Sequence, residues 1–458
     1  MPNTAEPPAA APGQRRQARI AAVSGFFGTT LEYYDFLIYG TAAALYFGPV
    51  FFPNNSYDTM LALGSIGVAY VARPFGAAVW GHLGDRIGRK QVLLAILLTM
   101  GVATFLVGCI PSADMIGPAA PVILIAVRLV QGISAGGEQA GSALLALEHA
   151  PDDRRGFYTS WTQAGSQLGN FLAFVVFVPL EAVLSEGAMA GWGWRIPFWA
   201  SAFVVLLTYV LRRRLSEPEV RQRLEREGLA HKAPLAAVLR HHGAAVVRIA
   251  LASLCIAPAG LVYIFGLAYG TEEIGLSKSG LLNLVALASL IMIASQPLFG
   301  LLSDRIGRKP VFVTGAAGSA VMVPLWLNAL NDGSWPQIYL FGLALMGVFV
   351  SMTSGVLLAA FLEMFPVDIR FSGMAVSFTT GIVITGFIPA IAQSMVEGNP
   401  DDWPSVAWLF VGLMAISGMA IASAPETFRT PTAVLGTPRS ARPAEVVKPA
   451  SRSRASRT

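Results

Sequence analysis

Apolar residues in this chain come in long blocks. Residues 92–110, 245–269 and 281–296 contain one charged side chain among them, Arg248. Each block approaches the ~20 apolar residues a helix needs to cross a hydrocarbon core. Read end to end, the pattern predicts twelve spans: 20–47, 61–80, 91–110, 121–148, 156–183, 194–211, 246–269, 280–302, 310–330, 336–362, 373–396 and 404–423. Gly and Pro recur inside them, as membrane helices tolerate. The expected fold is an all-α polytopic membrane protein.

The polar segments divide the chain. Residues 1–19 are Pro/Ala-rich and read as a disordered cytoplasmic tail; no clear cleavage pattern follows, so the first span is expected to be retained. A six-span N-terminal bundle occupies 20–211, a polar and partly helical linker 212–245, and a six-span C-terminal bundle 246–423. Residues 424–458, rich in Pro, Ser, Ala and Arg, read as a second disordered tail.

Composition sharpens this. The 458 residues are 54% hydrophobic and 13% charged, about half the ~25% charge of a soluble domain. Mean hydropathy is +0.58. These values exclude a soluble enzyme, a nucleic-acid binder and a disordered protein. The isoelectric point near 9.3 would suggest nucleic acid in a soluble chain. Here, with both termini cytoplasmic, 28 of the 32 Lys and Arg fall on the cytoplasmic side. Only Arg195 and Lys278 lie opposite, and Arg73 and Arg128 lie inside spans. That asymmetry sets the orientation in a plasma (bacterial inner) membrane, with anionic lipid as a natural contact and no nucleic acid.

The halves repeat one another. Gly81-His-Leu-Gly-Asp85-Arg86-Ile-Gly88-Arg89-Lys90 recurs as Gly300-Leu-Leu-Ser-Asp304-Arg305-Ile-Gly307-Arg308-Lys309. Glu148-x-x-Pro151-x-Asp153-x-Arg155 recurs as Glu363-x-x-Pro366-x-Asp368-x-Arg370. Asp85 and Asp304 suit a helix N-terminus or an Arg partner, and Arg89 and Arg308 can reach Glu148 and Glu363. Such pairs can break and reform. A cytoplasmic gate is therefore expected from Gly81, Asp85, Arg86, Gly88, Arg89, Glu148, Arg155, Asp304, Arg305, Arg308, Glu363 and Arg370; simple topogenic charge is the plainer alternative.

These loops resemble the signature of the major facilitator superfamily. Gly28-Thr-Thr-Leu-Glu32-Tyr-Tyr-Asp35-Phe, Ala72-Arg73-Pro74-Phe-Gly76, Arg128-Leu-Val-Gln131-Gly-Ile-Ser-Ala-Gly-Gly137-Glu138 and Glu148-His-Ala-Pro151 resemble its metabolite:proton symporter branch. That branch includes carriers of shikimate, α-ketoglutarate, citrate, and proline or betaine. Gln139 stands where the branch commonly has an aromatic. The resemblance spans about residues 20–425. It implies two pseudo-symmetric six-helix bundles that alternate access to a site between them. It also implies proton-coupled uptake of a small organic acid.

Charge buried in a membrane is costly and marks function or a required pair. Glu32 and Asp35 share one face of the first span with Gly28 and Tyr39. Arg73 is placed roughly 10 Å from the cytoplasmic end of the second span, and Arg128 and Glu138 about 15 Å apart on the fourth. Gln131, Ser134, Glu138 and Ser142 form one polar stripe; Thr159, Gln163, Gln167 and Asn170 form another. Arg73 and Arg128 are candidate carboxylate ligands, with Tyr39, Gln131, Gln163 and Gln167 beside them. The alternative is that each Arg pairs permanently with an acid such as Glu138. Glu32, Asp35 or Glu138 is the candidate proton carrier. Tyr33, Tyr34, Tyr39, Trp161, Tyr263, Phe265 and Tyr269 are available to stack on a ring or amine, or serve as ordinary core.

No Gly-rich phosphate loop is present; the 132–137 stretch reads as a close-packing site. Moving one charge through 100 mV yields about 2.3 kcal/mol, enough for roughly a 50-fold gradient, so a symporter needs no hydrolysis. Cys109, Cys255, His82 and His149 form no ligand set, so no cofactor or metal is expected. The expected partners are a small-molecule substrate, a proton and lipid, with a monomeric chain. The leading expectation is a carboxylate symporter. A zwitterionic osmolyte carrier is the alternative, a non-transporting sensor a remote one, and neither an enzyme nor a drug exporter fits the motifs. Asn54-Asn55-Ser56 is read as a chance glycosylation match.

Overall fold

The computed structural model describes residues 12–53, 58–226, 234–396 and 399–437. The expected Asn54-Asn55-Ser56 tripeptide, residues 1–11, linker residues 227–233 and the last 21 residues of the expected C-terminal tail lie outside them. Among the described residues the chain forms helices and no strands.

The six long helices of the N-terminal half are α1 Pro12–Ala42, α2 Asp58–Ile87, α3 Arg89–Val107, α4 Ala119–His149, α5 Arg155–Val183 and α6 Ile196–Arg213. The C-terminal half repeats them as α7 Gly243–Glu272, α8 Lys278–Ile306, α9 Arg308–Asn331, α10 Trp335–Leu362, α11 Arg370–Val396 and α12 Trp403–Ala422. Among the described residues, eleven helices are long and apolar enough to cross a bilayer; α1, which holds Glu32 and Asp35, completes the twelve. Two short helices, Glu219–Arg226 and Pro234–His241, lie in the linker.

Three boundaries differ from expectation. Residues 12–19, expected as tail, are the first turns of α1. Proline costs nothing at a helix start, where its missing N–H has no partner to lose, and Ala18 and Ala22 are buried against Ala150 and Tyr158. Helix α2 continues through the repeated loop to Ile87. Arg73 therefore lies about 21 Å from that end by helical rise, near the middle of the helix. Residues 424–437, also expected as disordered tail, pack against the protein: Ala424, Val434 and Leu435 are buried. Backbone carbonyls in this strap accept hydrogen bonds from buried arginines, which anchors it.

Small residues let the helices touch. A Cβ on Gly132 or Gly136 of α4 would strike the α2 backbone at Ala69 or Arg73, and one on Gly165 of α5 would strike Phe26 of α1. The Gly-rich 132–137 stretch is thus a packing surface. Gly88 and Gly307 end α2 and α8 at φ 109°, a conformation L side chains avoid. Three spans carry a π-helical turn: Ala43–Phe47 after α1, Leu261–Phe265 in α7 and Leu345–Val350 in α10. Such turns re-aim the residues that follow. The first drives Phe47 into a cluster with Tyr39, Phe51, Trp194 and Phe198.

The halves meet along α2 with α11 and along α5 with α8 and α10. At the end bearing the described termini, one apolar core spans both halves, from Ala77, Leu93 and Leu144 to Phe312, Phe361 and Phe371. Toward the other end it splits, with one cluster in the C-terminal half and one in the N-terminal half.

Candidate functional site

Two acid–base constellations stand between the rims of the N-terminal half. Glu32 on α1 accepts a 2.7 Å bond from Arg73 Nη2 on α2. The Arg73 guanidinium lies 4.2 Å from the Phe36 ring and 5.2 Å from Tyr70, a cation–π arrangement. One turn along α1, Asp35 accepts from Thr104 Oγ1 at 2.8 Å and from Gln131 Nε2 at 2.6 Å. Arg128 Nη1 donates to Gln131 Oε1 at 3.0 Å and lies 3.7 Å from Asp35 Oδ2. Its guanidinium sits 3.7 Å over Tyr39, whose hydroxyl shares a 2.6 Å bond with Ser65.

Both constellations are incompletely paired. Arg128 Nε and Nη2, Asp35 Oδ2, Glu32 Oε2, Arg73 Nε and Ser134 Oγ are buried with no hydrogen-bond partner. Buried polar atoms normally find partners, and exceptions mark water, ligand or catalytic positions. The structure thus joins Arg73 to Glu32 and Arg128 to Asp35, not to Glu138.

Glu138 is elsewhere. It pairs with Arg212, the last turn of α6, whose Nη1 donates at 3.1 Å to Glu138 Oε2 and at 2.7 Å to the Leu93 carbonyl. Ser142 and Ser24 complete the cluster. One buried guanidinium thereby ties α1, α3, α4 and α6 together, and Gly28 leaves room for it. Arg212 reads in sequence as the first of three loop cations; its burial was not legible. Thr104 and Ser65 were likewise missed, since a lone hydroxyl in an apolar run carries no pattern.

The second polar stripe is split. Gln163 accepts a 2.7 Å bond from Gln139, the position that departs from the branch pattern, and Thr159 bonds back to the Arg155 carbonyl. Tyr263 of α7 donates to Gln167 at 3.2 Å and lies 3.4 Å from Ser289, bridging the halves.

At the terminus-bearing end the repeated motifs form one network. Asp85 accepts from the Phe371 and Ser372 amides at the start of α11; Asp304 accepts from the Gly156 and Phe157 amides at the start of α5. Each carboxylate thus caps a helix of the opposite half, where the dipole favours negative charge. Arg89 lies 3.0 Å from Glu148 and donates across the seam to the Val367 carbonyl at 2.6 Å. Arg308 binds Asp304 at 2.6 Å and Glu363 at 3.0 Å. Arg155 reaches Glu363 at 2.8 Å, and Arg370 reaches Glu148 at 3.4 Å. Gly81 lies against Ser372, where a side chain would collide. Arg86 and Arg305 are exposed and stand outside the network, a correction to the expected gate set. Burial pushes the Glu363 carboxyl up, but the Arg308 and Arg155 guanidinia and the Thr427 hydroxyl outweigh it and hold the group at about 2.

Two features here were not read from sequence. Glu217 and Glu426, each just past the sixth span of its half, cap the amides of Arg89 and Lys90, and of Arg308 and Lys309. The strap is held from both sides: Arg155 donates to the Thr427, Phe428 and Thr430 carbonyls, Asp152 accepts from the Thr432 amide, and Arg370 donates to the Thr432 carbonyl.

Known proteins share this architecture. Residues 21–220 match the family Sugar (and other) transporter, and residues 249–455 match the Major Facilitator Superfamily. The chain is 35% identical to a shikimate transporter of Escherichia coli K12 across 88% of this chain and 93% of that one. It is 31% identical to a citrate-proton symporter of Klebsiella pneumoniae, covering 89% and 92%. It is 32% identical to a proline/betaine transporter of Salmonella typhimurium LT2, covering 88% and 82%. Among solved structures, a proton:xylose symporter, XylE, superposes with a TM-score of 0.73 at 17% identity over 90% of this chain and 97% of that one. Twelve helices in two repeated halves, the paired loop signatures and relatives matched nearly end to end give one conclusion: the chain belongs to the major facilitator superfamily, whose members are membrane transporters and not enzymes.

Proposed function

We propose that this chain takes up a small carboxylate together with a proton by alternating access. The observation that carries the reading is the Arg128–Asp35 constellation: a buried guanidinium with two unused donors beside a carboxylate with one unused oxygen. A guanidinium edge matches a carboxylate in bidentate geometry. Asp35 competes with the substrate for Arg128, so protonation of Asp35 frees the cation to bind, and release of the substrate restores the pair. Glu32 and Arg73 form a closer pair that supports the same face. Gln163, Gln167 and Tyr39 complete the substrate contacts.

The network at the terminus-bearing end is the gate, on the cytoplasmic side by the positive-inside distribution. The seam residues bridge the halves here, which fits a state closed to the cytoplasm. Opening requires Asp85 and Asp304 to leave the facing helix ends and Arg155 and Arg370 to release Glu363 and Glu148.

The relatives named for shikimate and citrate support an organic acid, and those named for proline/betaine supply a second reading, a zwitterion. Uptake into proteoliposomes under an imposed pH gradient tests the proposal, with shikimate, succinate, citrate, proline and glycine betaine as probes. Acid-driven accumulation of a carboxylate that is lost in Asp35→Asn supports it; no carboxylate uptake overturns it.

A further inference from the structure

The charges inside the protein are unevenly shared. Between its rims the N-terminal half holds Glu32, Asp35, Glu138, Arg73 and Arg128, with Arg212 reaching in from the end of α6. The C-terminal half has no Asp, Glu, Lys, Arg or His over 249–271, 279–303, 310–331, 335–362, 371–396 or 403–422. Its polar interior is neutral: half-buried Tyr263 and buried Ser289, Gln296, Ser351 and Ser354. Three acids face three cations, and the interior is balanced.

The three pairs differ in how firmly they are made. Glu138 is held by both terminal nitrogens of Arg212. Glu32 has a direct 2.7 Å bond from Arg73. Asp35 has no hydrogen bond from Arg128, whose nearest nitrogen is 3.7 Å away. Only this pair has a cation with two free donors and an acid held chiefly by neutral groups, Thr104 and Gln131. The other titratable groups about Asp35 are Arg73 from α2, and Tyr34, Tyr39 and Glu32 from its own helix.

From this balance we infer that the substrate is a monocarboxylate with an otherwise uncharged, hydrogen-bonding body, and that it moves with one proton so that the loaded carrier transports no net charge. The inference rests on the proposed function and narrows it. Protonating Asp35 leaves one unmatched positive charge, on Arg128, and one carboxylate neutralises it. A second carboxylate meets no unmatched positive charge: Arg73 is balanced by Glu32, Arg212 by Glu138, and the spans of the facing half carry no cation. An ammonium group has no free anion to meet once Asp35 carries its proton, and the Phe36 and Tyr39 faces that could cage it are already covered by Arg73 and Arg128. A buried charge without a partner is strongly disfavoured. The body of the substrate instead meets Gln163, Gln167, Tyr263 and Ser289, all neutral donors and acceptors, which suits hydroxyl or carbonyl groups.

The test uses the full chain in proteoliposomes with a pH dye inside, and valinomycin with potassium gradients to set the potential. Shikimate and gluconate serve as hydroxylated monocarboxylates, succinate and citrate as polyanions, glycine betaine as the zwitterion. The expected result is lumen acidification with a monocarboxylate, and accumulation that changes less than twofold when 100 mV, inside negative, is imposed at fixed pH gradient. A cycle moving one net charge would change accumulation about 50-fold at that potential. Preference for succinate, citrate or betaine, or potential-driven accumulation of the monocarboxylate, overturns the inference while leaving proton-coupled uptake standing. Absence of acid-driven uptake for every probe overturns the proposed function and the inference with it. Asp35→Asn supplies a second reading: counterflow of the monocarboxylate persists and loses its pH dependence. Counterflow that keeps the wild-type pH profile places the proton on another group and refutes the charge balance.

Discussion

Arg155 of α5 binds across the seam to Glu363 and to the strap. It is fully buried and donates to six acceptors: Glu363 at 2.8 Å, Asp152 at 3.1 Å, Thr432 Oγ1 at 3.2 Å, and the Thr430, Thr427 and Phe428 carbonyls at 2.8, 3.1 and 3.4 Å. All but Asp152 lie across the seam, so in the proposed cycle these bonds exist only while this end is shut. Arg155→Met keeps much of the apolar stem and removes the donors. Glu363 keeps Arg308, so no whole buried pair is stranded; counting the Glu363 bond alone, the loss is at least about 1.5–3 kcal/mol. At tenfold per 1.4 kcal/mol this shifts the equilibrium toward the open end about 10- to 150-fold. Ser160 on α5, buried where Gly300 of α8 approaches, reports the change. In a Cys109→Ser, Ser160→Cys background, maleimide labelling is slow in the parent and accelerates by at least tenfold in Arg155→Met. Labelling of a folded Arg155→Met protein within twofold of the parent would show that these bonds do not hold the end shut.

Other outcomes follow from the same contacts. Truncation after Glu426, which keeps the cap on Arg308 but removes the rest of the strap, raises labelling at Ser160→Cys. Glu363 is held at about 2, below its ordinary 4.5, so its contribution to the seam is complete above pH 4.5 and disappears as the pH falls toward 2. Spin labels across α5 and α8 should separate further over that window, and Glu363→Gln should remove the part of the change that falls between pH 4.5 and 2. Arg212→Leu strands Glu138 and costs about 3–5 kcal/mol, read as a lower midpoint in a thermal assay that follows exposure of buried Cys255 in a Cys109→Ser background. The double variant with Glu138→Leu recovers most of that loss, because no charge is then stranded.

The fold was legible because membrane helices advertise themselves. Twelve apolar runs, a cation asymmetry and a repeated loop follow directly from the cost of placing charge and free backbone in lipid. The seam pairs were legible too: Arg89 with Glu148, and Arg308 with Glu363, follow from motifs that recur at the same place in each half. Partner choice inside the bundle was not. Whether Arg73 meets Glu32 or Glu138 depends on helix register and on how neighbouring helices are staggered, and α2 extends seven residues beyond the expected end. Arg212 follows an apolar run and opens three arginines, so nothing local separates it from its solvated neighbours. The strap was hidden for a similar reason: its binding uses backbone carbonyls, which composition does not report.

In the proposed cycle one proton on Asp35 and one carboxylate on Arg128 cross together. The most direct measurement is the ratio of protons to substrate in proteoliposomes, from internal acidification and radiolabelled hydroxylated monocarboxylate followed in the same sample. The expected ratio is one proton per carboxylate in the parent, and none in Asp35→Asn, which still exchanges substrate. A parent that accumulates the carboxylate without acidifying its lumen would contradict it.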